Sequence, residues 1–263
     1  MALIPNDLEG LKRQAHGHLE SLRRAGVEWL PSAPPASLVP APAPPALDAE
    51  PAPAAAVSVE DAASTALTVD GRRHALQVLA KEISACTCCA ELASTRTQTV
   101  FGQGGPGVEL CFIGEAPGAD EDAQGLPFVG TAGQLLNKII AACGLKREEV
   151  YICNILKCRP PGNRTPLPHE AANCRPFLDR QLGLIAPKFI CALGGCAAQN
   201  LLGSNLSLGK LRGRFHDYKG IPVLCTYHPA YLLPHRNPDK KRDVWEDMKM
   251  LLTRMGRAIP TQR

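Results

Sequence analysis

Four cysteines and one acidic loop are the parts of this sequence whose residue types and spacing could do chemistry. Cys86, Cys89, Cys158 and Cys174 follow the pattern C-x2-C-x68-C-x15-C. Four thiolates can hold tetrahedral zinc or a [4Fe–4S] cluster. Structural zinc favours two tight C-x2-C hooks, whereas the second pair here is separated by fifteen residues. The spacing therefore leans toward iron–sulfur and leaves zinc open. Cys88, inside the same CTCC run, leaves open which thiols of that run bind. Cys111, Cys153, Cys191 and Cys225 lie in β-rich runs, and Cys143 and Cys196 in helical patterns. There a free thiol packs as a small hydrophobe.

The loop is GEAPGADEDAQGLPFVG, residues 114–130. It sets Glu115, Asp120, Glu121 and Asp122 among glycines and prolines and ends on Phe128. Glycine allows the backbone to approach a ligand closely.

These groups need elements to position them. Short β-rich runs, ELCFIG (109–114), EVYICNI (149–155), KFICALG (188–194) and IPVLCTY (221–227), alternate with helical patterns. Such alternation predicts parallel strands joined by right-handed crossovers, with helices on both faces. The expected fold is a three-layer α/β/α sandwich around a mainly parallel four-stranded sheet. In such sheets ligands sit at the carboxyl ends of the strands, and the acidic loop leaves the first strand there. The folded domain is expected over 74–263. Ahead of it, residues 31–73 read as a Pro/Ala-rich disordered linker. Residues 1–30 carry a short amphipathic helix with Leu8, Leu11, Ala15, Leu19 and Leu22 on one stripe. That helix is either a capping element or a handle for a protein partner.

Bulk properties narrow the class. The chain has 263 residues and a net charge of +4. Residues 1–74 carry 6 Lys/Arg against 9 Asp/Glu, which leaves 23 against 16 for the rest. A basic folded part favours a polyanionic partner. No apolar stretch is long enough to span a membrane, and the N-terminus lacks the pattern of a signal peptide. The expected compartment is a reducing cytoplasm, where eleven cysteines are not explained by disulfides.

Three blocks together carry a resemblance. GEAPGADEDAQGLPFVGTAGQLL, NILKCRPPGNRTPLPHEAANC and YHPAYLL, in this order, resemble the family 4 uracil-DNA glycosylases, an iron–sulfur class. The likeness covers roughly residues 75–257. It implies an α/β/α sandwich, a [4Fe–4S] cluster on Cys86, Cys89, Cys158 and Cys174, and removal of uracil from DNA. The implied partner is uracil-containing DNA, single- or double-stranded, met by a monomer in the nucleoid.

The resemblance also assigns roles. The base must leave the helix stack to be reached. Phe128 would lie against its face, and the Asn154 amide would accept from N3–H and donate to O4. His228 of YHPAYLL would donate to uracil O2 as negative charge develops, helped by the backbone N–H groups of Glu115 and Ala116. Glu121 would either orient water near the sugar or guard the C5 edge against a methyl group. Asn163 is a further pocket residue. Tyr231, Leu232 and Leu233 would wedge into the gap left by the base, with Arg159 and Arg164 on phosphates, and also Lys210, Arg212 and Arg214. Cluster-free uracil glycosylases carry an Asp where this chain has Ala116, so water activation is arranged differently here. Relatives that trap DNA covalently have a basic insertion between the third and fourth cysteines, and RPPGNRTPLPHEAAN lacks it. Turnover is expected; the alternative is a protein of the same fold that binds uracil or damaged DNA without releasing product.

Overall fold

The computed structural model of the chain describes residues 68–261, together with Lys12. The expected linker and amphipathic helix therefore lie outside the described residues, apart from a helical Lys12 and the last residues of the linker. Those last residues are not linker. Helix α1 (Val69–Ser84) begins ahead of residue 74, because the Thr68 hydroxyl accepts the Gly71 N–H at 3.1 Å and caps it. No helix among the described residues is long and apolar enough to cross a membrane.

The four expected strands are present as β1 (Leu110–Gly114), β2 (Tyr151–Asn154), β3 (Phe189–Leu193) and β5 (Ile221–Thr226). All four pair in parallel. The sheet has five strands, not four, in the order β2-β1-β3-β5-β4. The addition is β4 (Phe215–Tyr218), antiparallel to β5 at the edge. A two-residue turn joins them, with Lys219 at φ 51° and Gly220 at φ 85°, the left-handed pair that a tight hairpin requires.

Side-chain alternation divides the core into two layers. From β1, Cys111 and Ile113 face one way, toward Leu178, Leu182 and Ile185 of α5 (Pro168–Ile185) and Leu201 of α6 (Gly195–Leu202). Leu110 and Phe112 face the other way, toward Leu136 and Ile140 of α4 (Thr131–Ala142) and Met248 and Leu251 of α8 (Lys241–Arg254). A sheet buried on both faces explains why its strands read as continuous apolar runs. Shorter helices complete the fold: α2 (Ala90–Thr95), α3 (Ala119–Gln124) and α7 (Leu208–Leu211).

The register fixes the site. Gly114 pairs with Asn154, so β1 and β2 end side by side. Beyond them the ladder continues, with Ile155 N–H donating to Gly114 O at 3.0 Å and Leu156 N–H to Glu115 O at 3.1 Å. The start of the acidic loop is thereby tied to the segment after β2.

Candidate active site

At the shared end of β1 and β2, Gly114 leaves room for two larger groups. A Cβ there would collide with Asn154 Oδ1 and come within 2.7 Å of the Phe128 ring. The missing side chain is what lets the amide and the aromatic ring meet over the strand end.

Phe128 is buried, with φ at 52°, a conformation that costs a bulky residue energy and persists only where the surroundings enforce it. Several contacts do so. Val129 N–H and Gly130 N–H both donate to Glu121 Oε1 at 3.0 Å. Arg147 Nη2 donates to Pro127 O at 2.5 Å. Gly133 packs directly on the Phe128 carbonyl, where any Cβ would overlap it.

Asn154 is 2% exposed, and its Oδ1 has no hydrogen-bond partner among the described residues. A buried acceptor left unpaired costs about 1–3 kcal/mol, so the site is built to receive a donor. Its backbone is fixed from below. The wholly buried Lys157 donates from Nζ to Asn154 O at 2.9 Å and to Gln181 Oε1 at 2.6 Å.

His228 follows β5, and its ring lies 5.5 Å from that of Phe128, centroid to centroid. Burial, and then the charge of Arg236, lower its pKa from 6.5 to about 4. The imidazole is therefore neutral at physiological pH. Ala230 N–H donates to its Nδ1 at 3.1 Å. A neutral ring carries one proton, so that proton is on Nε2, which is left as a donor.

These residues line one cleft of about 440 Å³, together with Glu115, Ala116, Glu121 and Asn163. Burial raises the Glu115 pKa, with a hydrogen bond to Cys196 acting the other way. Asn163, at φ 55°, accepts from Arg159 Nε at 2.7 Å.

Four expectations need correction. Glu121 lines the cleft, but its carboxylate is not free. Besides Val129 and Gly130, it accepts Gly118 N–H at 3.1 Å. Three backbone donors take up most of its accepting capacity, so its structural job is to close the acidic loop around Phe128. Its neighbour Asp122, also buried, accepts Thr97 N–H at 2.9 Å. Leu232 is not a wedge: it is 1% exposed and packs in the core layer with α4 and α8. Tyr231 stays exposed at the cleft, stacked on Tyr227 at 5.2 Å, and Leu233 is half-buried. Arg164 lines the cleft, but its guanidinium is held by both oxygens of Glu170 and by Glu91 at 2.7–2.9 Å. Arg212 is similarly held by Asp247 at 2.8 Å.

The model of the uracil DNA glycosylase superfamily matches residues 101–249. The chain is 42% identical over 180 residues to a type-4 uracil-DNA glycosylase of Thermotoga maritima, covering 68% of this chain and 93% of that one. It is 40% identical over 196 residues to one of Archaeoglobus fulgidus, covering 72% and 97%. The chain belongs to the type-4 uracil-DNA glycosylases. A type-5 uracil-DNA glycosylase of Pyrobaculum aerophilum is more distant, at 30% identity over 141 residues.

In this type-4 chain three of the four cysteines, Cys89, Cys158 and Cys174, lie in one cluster with Ala116 of the cleft wall. Cys158 and Cys174 are buried together with Leu92 and Leu156, and Cys89 and Ala116 pack against them. Arg96 joins the two halves of the set. It donates to Cys158 Sγ at 3.0 Å, to Cys86 O at 2.9 Å and to Ser84 O at 3.1 Å. Asn173 Nδ2 lies 3.5 Å from Cys89 Sγ. Among the described residues no group of three or more His, Cys, Asp or Glu is closed to metal-holding geometry. All four thiols are free, and Cys88 is the exposed member of its run. Burial pushes the Cys174 thiol up to about 11, so a metal bound there would displace a proton.

Sequence reasoning missed Gly114, Lys157 and Arg236 as parts of this site. Lys157 had a signal, a lysine in the apolar run NILKC, which is costly unless its ammonium is paired. Gly114 and Arg236 had none, since their importance lies in what the fold brings beside them.

Proposed function

We propose that this type-4 glycosylase hydrolyses the N-glycosidic bond of an extruded deoxyuridine in DNA, releasing uracil and leaving an abasic site. The observation that carries this reading is the buried, unpartnered Asn154 Oδ1 in one cleft with Phe128 and His228. Uracil supplies the missing donor at N3–H, and the Asn154 amide returns a hydrogen bond to O4. Cytosine has no N3 proton and presents a donor at C4, so it leaves the same amide mispaired. The Phe128 ring offers the base an apolar face.

As the N1–C1′ bond breaks, negative charge moves onto uracil. Donation from the His228 Nε2–H to O2 stabilises the departing anion more than the bound base. A neutral donor is suited to this because it needs no protonation beforehand. The N–H groups of Glu115 and Ala116 assist, and Asn163 completes the pocket wall. Glu121 acts through the loop it closes. Tyr231, at the exposed rim, fills space beside the extruded nucleotide.

Cys86, Cys89, Cys158 and Cys174 would hold a [4Fe–4S] cluster. When bound, it supplies a cross-link between the segment after α1 and the loop after β2. Arg96 orients two of the four cysteine positions from the protein side.

The test is alkali treatment of oligonucleotides carrying a single uracil, single- and double-stranded, after incubation with the purified protein. Strand breaks at the uracil position are expected. A protein that shifts uracil DNA on a gel and yields no breaks would be a binding module, and the enzymatic reading would fail.

A further inference from the structure

The arginines expected on phosphates, and the two that line the cleft, differ in what they are free to do. Arg159 is held by Asn163, Arg164 by Glu170 and Glu91, and Arg212 by Asp243 and Asp247. Arg236 also lines the cleft, is exposed, and makes no side-chain hydrogen bond or ion pair among the described residues. Its backbone is nevertheless fixed. Arg236 N–H donates to Leu233 O at 2.8 Å, and Asn237 N–H closes the loop onto Tyr231 O at 3.2 Å. Its charge also reaches the half-buried His228 ring. A guanidinium held at its root, unpaired at its tip and set at the rim beside the leaving-group donor is suited to an anion arriving from solvent.

We infer that Arg236 binds the DNA phosphate adjacent to the extruded nucleotide. The inference rests on the glycosylase reading, in which the target nucleotide rotates about its backbone into the cleft. A phosphate gripped at the rim fixes one end of that rotation. The same contact places a counter-charge on Arg236 only when DNA is bound, so the field felt by His228 changes between the free and the DNA-bound enzyme. Phosphate recognition would thus fall to Arg236, with Arg164 serving to brace the loop before α5 through Glu170.

The experiment measures binding of a uracil-free oligonucleotide by fluorescence anisotropy across a salt series, for wild type, Arg236→Gln and Arg236→Lys. Uracil release and its inhibition by free uracil are measured in parallel. Loss of one phosphate contact makes the slope of log K against log[salt] less negative by about 0.7 on single strands and about 0.9 on duplex. Arg236→Gln is expected to show that change, with binding weakened roughly tenfold. Arg236→Lys, which keeps the charge, retains the wild-type slope, and free-uracil inhibition is the same in all three. An Arg236→Gln slope equal to wild type overturns the inference. So does weakened inhibition by free uracil, which would put Arg236 on the base instead of the backbone. If the wild type released no uracil, the proposed function would fall, while the salt slopes on uracil-free DNA would still decide the phosphate contact.

Discussion

His228→Ala is expected to lower kcat for uracil release by about 10²–10³-fold, the effect of removing one preorganised donor from a developing anion. KM for DNA should change little, because the contact strengthens as the bond breaks and contributes little to ground-state binding. His228→Gln, whose amide can still donate, is expected to recover part of the loss. Stopped single-turnover assays separate the two parameters. The pH profile of the wild type is a second readout. Because the folded-state pKa lies near 4, below the ordinary 6.5, the ring stays neutral as pH falls through 6.5. Stability moves with it. The unfolded chain takes up the proton more readily, so the contribution of His228 to folding is full above about 6.5 and is lost as pH falls toward 4. Activity that declined with a midpoint near 6.5 would place His228 in water, outside the cleft described above.

Asn154→Leu is expected to do two things that rarely go together. Uracil release should fall by about 10²-fold or more, since a site that pairs the polar edge of its substrate loses its reader. The folded protein should also become more stable, by about 1–3 kcal/mol, because the substitution removes a buried acceptor that has no partner. Thermal or urea unfolding of the two proteins checks the second effect. An asparagine kept for structure would give the opposite sign, losing stability together with activity. The wall around it is tight: Gly114 leaves no space for added bulk, which is why a near-isosteric replacement is the informative one.

Much of this site was legible in the sequence, and the residues explain how. The four parallel strands appear as apolar runs because both faces of the sheet are covered, and Asn154 stands out as the polar residue that ends one of them. The edge strand β4 did not appear. Its sequence FHDY is only four residues long and half-exposed, so it has no apolar run to read. Leu232 was misread because PAYLL contains two adjacent leucines, and only tertiary packing decides that the first belongs to the core. Glu121 was misread for a related reason. Its partners Val129 and Gly130 are eight and nine residues away, across a turn whose geometry depends on the strained Phe128. Arg164 and Arg236 look alike in the sequence, and they differ because one faces two carboxylates and the other faces solvent.

The claim that uracil is read by Asn154 while His228 waits at its opposite side is tested most directly by adding free uracil to protein labelled with 15N in histidine. If both side chains meet one base, the His228 Nε2–H resonance will shift on uracil binding, thymine will shift it less, and Asn154→Leu will abolish the response. An unchanged His228 resonance at uracil concentrations that inhibit base release would mean that the base binds elsewhere.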